Sequence, residues 1–318
     1  MATRLIANPA SGDDAALAHL PEINLQLRQT FGEIDIVLTT ASGDAETAAR
    51  HAVEAGYDHL FIAGGDGTLN EVLNGVAAAG GLDRTTLGVI PLGTGNDFAQ
   101  ALDLPEDVTS ALAVLCQRHT IAVDVGTVDG RHFVNVSAGG FLAEVSDAVS
   151  PQLKSLTGKL AYLIGGAKVL FDFEDLPTNF RVCGEDGRII ESQRDIQAYA
   201  VCNARLVGGG RLIAPAALVD DGLLDLCIVD AMPTLDFVAL LSQVSSGEHV
   251  SDPRVTTMRA RWIELTFGRQ AKINTDGEVL ATERCRYEVL PRAARFLAGA
   301  APFVLATALP GQEGALRV

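Results

Sequence analysis

The sequence contains little lysine and is strongly acidic. Four lysines occur among 318 residues, and 24 basic side chains face 40 acidic ones, which gives a net charge of −16. Binding to nucleic acid depends on clustered lysine and arginine side chains that neutralise phosphates. This composition therefore excludes nucleic acid as a partner.

Long hydrophobic runs are missing as well. No stretch approaches the roughly 20 apolar residues that cross a bilayer, and the N-terminus lacks the apolar region of a secretion signal. We therefore expect a cytoplasmic protein without a transmembrane segment. The length favours two domains, since single cores rarely grow beyond about 250 to 300 residues.

Patterns for zinc, paired cysteines and the P-loop are also absent. The five cysteines form no CxxC pair, no two of the six histidines have the helical spacing of zinc ligands, and GxxxxGK(S/T) does not occur. A nucleotide bound by this chain would therefore be held by backbone N–H groups and a metal ion, without a P-loop lysine.

The most informative feature that is present is the segment at residues 58–78. An apolar strand runs through the GGDG loop at residues 64–67 into an amphipathic helix. At such a junction, backbone N–H groups and the positive end of the helix face an anion. Thr68 and Glu71 have the spacing of a capping box, which predicts that the helix begins at the loop. The segment predicts a phosphate-binding loop, and an ordinary turn is the alternative.

The first 120 residues alternate strands and helices, as a parallel α/β sheet does. Four predicted strands end in loops rich in glycine, serine, threonine and asparagine. These strands lie at residues 4–7, 34–38, 60–63 and 87–90. Because ligands bind outside the carboxyl ends of the strands in open α/β sheets, the four loops should converge on one nucleotide-binding crevice.

After about residue 120 the sequence changes to short strand-like runs, which predicts a largely antiparallel β domain. The predicted domains are a nucleotide-binding α/β domain at 1–120, completed by about 293–318, and a β-rich substrate-binding domain at 121–292. A helical insertion is expected between residues 151 and 173, and the segment 293–318 is left open between helix and strand.

Four Asp-Gly pairs in the second half are interpreted first as hairpin turns. The pairs begin at Asp129, Asp186, Asp221 and Asp276. The last pair is followed by Glu278, so that two acidic side chains flank a glycine, as suits a metal contact and a general base. The pair at Asp221 could bind a hard cation through a carboxylate and nearby carbonyls. For both pairs a plain turn is the alternative.

Three of the four lysines are clustered beside an apolar stretch. They are Lys154, Lys159 and Lys168. The cluster could contact an anionic membrane surface, but a solvated helix face with its apolar side in the core is the favoured interpretation.

Five segments, in the same order along the chain, resemble the diacylglycerol kinase catalytic-domain superfamily, particularly its bacterial soluble lipid kinases. They are NPASG, GGDGTLNEVLNG, PLGTGNDFA, VNVSAGGF and NTDGE. GGDGT is shared with NAD kinases, whereas GTGNDFA together with the late DGE is much more specific to lipid kinases. The resemblance implies an N-terminal Rossmann-like α/β domain, a C-terminal antiparallel β-sandwich, and transfer of the ATP γ-phosphoryl group to a lipid hydroxyl with Mg²⁺.

The resemblance also implies the site residues. Asp66 would organise the catalytic magnesium, and Glu278, next to Asp276 in the DGE element, would accept the hydroxyl proton. The carboxylate of Asp221 and the carbonyls of Leu218 and Leu223 match a structural magnesium site. The implied nucleotide contacts are Asn8, Pro9, Ala10, Ser11, Gly12, Thr40, Gly64, Gly65, Asp66, Gly67, Thr68, Leu69, Asn70 and Thr94.

The chain departs from the family pattern at Asp13 and Asp14, where many relatives carry basic residues. This puts in doubt any phosphate or headgroup contact from that point and would favour a non-catalytic lipid or nucleotide sensor. The intact Asp66, Asp276 and Glu278 argue against a sensor. A kinase of a soluble nucleotide such as NAD is the other alternative.

The sequence leaves the acceptor lipid open between diacylglycerol, phosphatidylglycerol and a sphingoid base. It also leaves open the oligomeric state, a homodimer included. A lipid substrate implies peripheral contact with the inner face of the membrane.

Overall fold

The computed structural model describes residues 2–12, 15–148 and 173–303. Several parts of the sequence prediction lie outside these ranges. They are Asp13 and Asp14, the expected helical insertion up to residue 172, the lysines Lys154, Lys159 and Lys168, and residues 304–318.

Four parallel strands form the sheet of the first half, in the order β2-β1-β3-β4. They are β1 (Thr3–Ala7), β2 (Ile34–Leu38), β3 (His59–Gly64) and β4 (Thr86–Pro91). The helices of this half are α1 (Ala15–Phe31), α2 (Asp44–Glu54), α3 (Asp66–Ala78), α4 (Asp97–Ala101) and α5 (Val108–Leu115). Strands β3 and β4 are buried almost throughout, as their continuous apolar runs require. All four predicted strands are therefore present.

Helix α3 begins at Asp66, so it starts at the glycine loop as predicted, but the capping box itself does not form. Its N-cap is Gly65, and within the described part of the chain no side chain caps it. The Thr68 hydroxyl accepts a hydrogen bond from Asn8 Nδ2, and the Glu71 carboxylate accepts one from the Ala45 backbone N–H. The capping box is therefore wrong, because these two side chains instead hold α3 to neighbouring segments.

The second half is an antiparallel β-sandwich-like domain, as predicted. Its strands are β5 (Thr120–Val128), β6 (Arg131–Phe133), β7 (Val136–Gly140), β8 (Leu176–Gly184), β9 (Ile189–Cys202), β10 (Leu206–Val207), β11 (Arg211–Leu212), β12 (Leu224–Asp230), β13 (Val255–Thr275) and β14 (Glu278–Leu297). Helices α6 (Phe141–Ala148) and α7 (Thr234–Gln243) pack Phe141 and Phe237 edge to face, 5.0 Å apart. Neither helix was predicted from the sequence.

Two of the Asp-Gly pairs form two-residue hairpin turns. Asp129 lies between the paired residues that end β5 and begin β6, and Asp276 lies between the paired residues that end β13 and begin β14. Both aspartates adopt positive φ angles, of 47° and 45°, and the following glycines do too. This is the backbone that hairpin turns with primed geometry need. The DGE element is therefore also a tight turn.

Strand β14 joins the two halves. Its first part pairs with β13 and β5, and after an irregularity around Arg292 its last residues pair in parallel with β4. Phe296 is fully buried there and packs edge to face on Phe98, 5.2 Å away. On this basis we propose that the chain from about residue 293 completes the first domain. The predicted boundary near residue 120 stays a prediction.

Helices α2 and α3 approach each other closely at Gly75. A Cβ atom added there would lie 2.1 Å from the backbone oxygen of Glu46. Gly67 lies in the same helix, and apart from its chain neighbours and the helix's own backbone, no heavy atom of the described part of the chain is within 4 Å of its corresponding position. Packing therefore leaves room for a side chain at Gly67 but not at Gly75.

We expect Gly75→Ala to lower the free energy of unfolding by about 1 to 3 kcal/mol, because the added methyl group must push α2 away. Gly67→Ala is the matched control, since it should leave stability unchanged or raise it by about 0.5 to 1 kcal/mol. Denaturant unfolding measures both values. Equal destabilisation by the two substitutions would show that the α2–α3 contact is not the cause.

Candidate active site

The loops that follow β1, β3 and β4 meet at the carboxyl ends of the parallel strands. From β1 the chain crosses to β2 on one side, and β3 lies on the other side. The carboxyl end of β1 is therefore a topological switch point, where ligands bind in open α/β sheets. The Asn8 N–H donates to the Ala63 carbonyl at 2.9 Å. A Cβ atom on Gly93 would lie 2.4 Å from Gly65 Cα. The loops therefore touch main chain to main chain, which only glycine permits.

The NPASG loop lies against the loop after β4. Its Asn8 side chain accepts a hydrogen bond from the Ala10 N–H at 3.0 Å, and Gly12 has a φ of +64°. A Cβ on Gly12 would lie 2.6 Å from the Leu92 carbonyl oxygen. Pro9 and Ser11 lie on the same loop. The predicted nucleotide contacts at residues 8–12 thus border the glycine loop.

Two threonines lie on the loops after β2 and β4. Thr40 is exposed, and its hydroxyl and N–H donate to the Asp44 carboxylate at 2.7 and 2.8 Å, at the first turn of α2. Thr94 is exposed on the loop after β4. Asn96 closes that loop, because its side chain exchanges two hydrogen bonds with the backbone of Gly93. Both threonines are accessible to a ligand.

Asp66 is the acidic residue of the glycine loop. Its two carboxylate oxygens accept hydrogen bonds from the backbone N–H groups of Phe98 and Asp97 at 3.2 and 3.3 Å. Burial raises the pKa of Asp66, and the nearby Asp97 carboxylate raises it further. A Cβ on Gly95 would lie 3.1 Å from Asp66 Oδ2 and 3.4 Å from Asp97 Oδ2. The carboxylates of Asp66 and Asp97 therefore both lie next to Gly95.

Asp97 itself is held by a glycine loop from the second half, which the sequence analysis missed. Its carboxylate accepts the N–H groups of Gly209 and Gly210 at distances down to 2.7 Å. Gly208, Gly209 and Gly210 all have positive φ angles. Three successive glycines between strand-like runs are the sequence signal of a main-chain anion site, and they could have identified this loop.

Asp276 belongs to the other half of the molecule and faces the same site. Its carboxylate accepts three backbone N–H groups, from Val134, Asn135 and Val136, at 3.0, 3.2 and 2.8 Å. Burial raises the pKa of Asp276 to about 6 against the lowering effect of these three donors, and the charge of Asp66 also raises it. The catalytic aspartates implied by the family resemblance therefore lie within electrostatic reach of each other.

Glu278, the implied general base, forms an ion pair with Arg131. Arg131 Nη2 lies 2.5 Å from Glu278 Oε1, and Nη1 lies 3.2 Å from Glu46 Oε2 on α2. Burial lowers the pKa of Arg131, but the two carboxylates outweigh this effect and hold it above its ordinary value. Neither Arg131 nor Glu46 was predicted from the sequence to be part of the site.

The remaining predicted residues of α3 point away from the edge of the sheet. The Asn70 side chain accepts a hydrogen bond from Asn74 at 2.7 Å, and both amides donate to the His132 carbonyl. Leu69 is buried in the first core, and Gly64 packs against Thr68. These residues shape the loop, and their side chains are used within the protein.

The residues predicted for a structural metal lie together in a second acidic cluster. Asp221 Oδ2 lies 2.5 Å from Arg259 Nη2, and Leu218 and Leu223 are both buried. Burial raises the pKa of Asp221 and, to about 7, that of Asp225. Among the described residues, Asp225 Oδ2 is buried without a hydrogen-bond partner.

No group of three or more histidine, cysteine, aspartate or glutamate side chains suited to a metal ion occurs within residues 2–12, 15–148 and 173–303. The predicted structural site, with one carboxylate and two carbonyls, is of another kind. In the same part of the chain, no helix combines the length and the apolar character that a membrane crossing needs.

Comparison with known proteins assigns this chain to a family. The diacylglycerol kinase catalytic domain matches residues 2–128, and the YegS C-terminal NAD kinase beta sandwich-like domain matches residues 135–298. The diacylglycerol kinase of Staphylococcus carnosus is 34% identical over 275 residues, covering 86% of this chain and 88% of that protein. The chain belongs to the diacylglycerol kinase family. The Bacillus subtilis diacylglycerol kinase is 35% identical over 276 residues, covering 86% and 89%.

The fold of this chain matches that of a solved structure. A Bacillus anthracis protein described as a putative diacylglycerol kinase superposes with a TM-score of 0.79 at 27% identity, over 95% of this chain and 96% of that one. The resemblance carried by the five motifs is therefore confirmed, and so is the two-part fold. The chain is a lipid kinase that uses ATP as the phosphoryl donor and an alcohol as the acceptor.

The buried Asp225 makes stability depend on pH. Its pKa of about 7 in the folded protein lies above the ordinary value of 3.8, so the folded state holds the proton more tightly. The contribution of Asp225 to stability is therefore fully present below about pH 4 and is lost as the pH rises to about 7.

In Asp225→Asn this loss is absent, so we expect the variant to gain stability relative to the parent between about pH 4 and pH 8, by an amount on the order of a few kcal/mol. Thermal and denaturant unfolding in a chelator measure the difference. Asp186→Asn, on an exposed turn, is the control. A difference that stays constant with pH would refute the assignment.

Proposed function

We propose that this kinase transfers the γ-phosphoryl group of ATP to the hydroxyl of a diacylglycerol-type lipid, with Mg²⁺ as cofactor. The observation that supports this most directly is the meeting of acidic groups from both halves of the chain. Asp66 and Asp97 come from the α/β half, Asp276 comes from the β half, and the charge of Asp66 raises the pKa of Asp276. The relatives named diacylglycerol kinase support the choice of acceptor.

In this proposal the nucleotide lies across the ends of β1, β2, β3 and β4. Residues 8–12, Thr40, the main chain of residues 64–70 and Thr94 line its phosphates and sugar. The N–H groups of the first turn of α3 and its positive helix end favour a phosphate there. A lysine is not required, since several main-chain donors share the charge.

The side chains at this edge suit a magnesium ion. Asp66 offers two carboxylate oxygens whose contacts with the N–H groups of Phe98 and Asp97 are long, at 3.2 and 3.3 Å, and Asp97 and Asp276 add negative charge nearby. Burial raises the pKa of Asp66 and Asp276, and a bound cation would favour their anionic forms. When bound, Mg²⁺ would neutralise charge that develops on the transferred phosphoryl group.

The second acidic cluster suits a structural cation. Asp221 and the carbonyls of Leu218 and Leu223 would bind it, and the unpaired Asp225 oxygen is close by in the same charged cluster. Oxygen ligands of this kind are the ones that hard cations prefer. This site would act on stability and would not take part in the reaction.

The chemical step requires one proton acceptor beside the acceptor hydroxyl. As the lipid oxygen attacks the γ-phosphorus, Glu278 takes the hydroxyl proton, a new P–O bond forms, and the bond from the γ-phosphorus to the bridging oxygen breaks to release ADP. Asp276 keeps the turn in place through its three N–H donors. General-base catalysis of this kind typically contributes about 10²- to 10⁴-fold.

An apolar acceptor is favoured over a soluble nucleotide by the residues that follow the base. Val279 and Leu280 are large, apolar and more than one-third exposed, at 36% and 37%. Exposed apolar side chains next to a reacting group suit an acyl-chain substrate. Peripheral contact with a membrane follows from such a substrate, and the homodimer stays a prediction.

We expect Glu278→Gln to reduce turnover to a residual level, about 10²- to 10⁴-fold below the wild-type rate, while ATP binding stays nearly intact, since an amide cannot accept the hydroxyl proton. Glu288→Gln is the control, because Glu288 lies on the same strand and pairs with Arg286 at the surface. Phosphorylation of diacylglycerol in mixed micelles and calorimetric ATP titration give the two readouts. Near wild-type turnover in Glu278→Gln would rule out its role as base.

Asp66→Ala should remove Mg²⁺-dependent phosphorylation, because Asp66 is the proposed organiser of the metal. The Mg²⁺ dependence of turnover is the measurement, and Asp83→Asn, at an exposed position, is the control. If Asp66→Ala leaves the kinetics unchanged, the metal is bound elsewhere.

The same assay with NAD as acceptor tests the soluble-nucleotide alternative. Phosphorylation of NAD but not of lipid would replace the proposed acceptor.

A further inference from the structure

Arg131 connects the two halves of the molecule at the active site. It is bound to Glu278 at the start of β14 and to Glu46 on α2, at 2.5 and 3.2 Å. All three side chains are partly buried, with exposed fractions of 28%, 38% and 34%. Charged pairs shielded from solvent in this way are weakened less by salt than exposed ones, and two carboxylates use both ends of the guanidinium group.

The backbone that carries Arg131 is fixed to the nucleotide-binding half. The next residue, His132, receives a hydrogen bond from Asn74 Nδ2 at its carbonyl, at 3.0 Å, and donates its N–H to Asn74 Oδ1 at 2.9 Å. Asn74 lies on α3, the helix that begins at the glycine loop. Strand β6 is therefore clamped to this helix next to Arg131.

Glu46 is fixed to the same helix from the other side. The N–H of Ala45, its neighbour in α2, donates to the Glu71 carboxylate of α3 at 3.2 Å. In the first turn of α2, Asp44 also holds Thr40, one of the proposed nucleotide contacts. The anchors of Arg131 thus belong to the segments that form the nucleotide site, while Glu278 belongs to the β half.

We infer that Arg131 is a positioning residue for Glu278, which holds the base at a fixed place relative to α2 and α3. This inference rests on the proposed role of Glu278 as the proton acceptor. Both terminal nitrogens of Arg131 are occupied by carboxylates, so its contribution to phosphoryl transfer passes through Glu278. Loss of this anchor frees the base to move relative to the bound nucleotide, and a displacement of about 1 Å can cost on the order of 10²-fold in rate.

A double-mutant cycle tests this inference on the full-length enzyme with ATP and diacylglycerol in mixed micelles. Arg131→Gln should lower kcat by about 10²-fold and leave the KM for ATP unchanged. In the Glu278→Gln background, Arg131→Gln should cause no further loss, because residues that act as one unit are not additive. Arg131→Lys should recover part of the rate, since lysine can hold one carboxylate but cannot bridge two.

Two further variants separate positioning from folding. Arg286→Gln removes an arginine that also bridges two glutamates, Glu264 and Glu288, but on the outer face of the β half, and it should leave kcat unchanged. Glu46→Gln keeps Arg131 and Glu278 and should lower kcat less than Arg131→Gln does. The unfolding temperature of each variant shows whether it is folded. If Arg131→Gln does not fold, lowered kcat values in Arg131→Lys and Glu46→Gln support the positioning role. Wild-type kcat values in both variants overturn it.

The outcomes distinguish this inference from the proposed function. If Glu278→Gln has only residual turnover but Arg131→Gln retains wild-type kcat, the positioning role is wrong and the base stands. If the two losses multiply, or if Arg131→Gln raises the KM for ATP with kcat unchanged, Arg131 contacts phosphate directly and the inference is overturned. If Glu278→Gln turns over at the wild-type rate, the proposed base itself fails, and the role assigned to Arg131 fails with it.

Discussion

The capture of the Asp276 carboxylate by three consecutive backbone N–H groups is the interaction on which the site depends. Without it, the DGE element would be the tip of a two-residue hairpin, with the mobility that such tips have. The hydrogen bonds to Val134, Asn135 and Val136 tie this tip to the segment between β6 and β7. Asn74 of α3 is hydrogen-bonded to His132 of β6. The turn is therefore also fixed relative to the glycine loop at the start of α3.

The same arrangement concentrates negative charge. Asp66, Asp97 and Asp276 approach one another from two halves of the chain, and burial raises the pKa of both Asp66 and Asp276. An isolated carboxylate in such surroundings favours its neutral form, so the ionised site is costly in the free protein. Main-chain donors reduce the cost: the N–H groups of α4 hold Asp66, and the glycine loop at residues 208–210 holds Asp97. Ionisable groups with shifted pKa values are common at functional sites.

Local patterns in the sequence predicted the features that depend on neighbouring residues. The four parallel strands follow from short apolar runs, and the crevice follows from polar loops at their carboxyl ends. The Asp129 and Asp276 turns follow from Asp-Gly pairs, which favour positive φ angles. The roles of Asp66, Asp276 and Glu278 came from family resemblance, and composition alone had left their turns as the simpler interpretation.

The features that were missed all depend on long-range partners. Arg131 stands next to an ordinary hairpin turn, and nothing near it in sequence indicates that it lies between Glu46 and Glu278, 85 and 147 residues away. The capping box failed for the same reason, because Thr68 and Glu71 have stronger partners on other segments. Helix α7 was missed because its apolar residues were interpreted as part of a β-rich region, although Pro233, directly before its first residue, marks a boundary between elements.

Strand β14 also sets the order in which the molecule can be completed during synthesis. The parallel sheet needs Arg295 and Phe296 as the partners of β4, yet these residues are among the last of the described chain to leave the ribosome. Until then the Phe98 ring and the edge of β4 lack their cover, so the nucleotide half stays open although its own four strands have already been made. The first core is therefore completed by the far end of the strand that begins with the proposed base, Glu278.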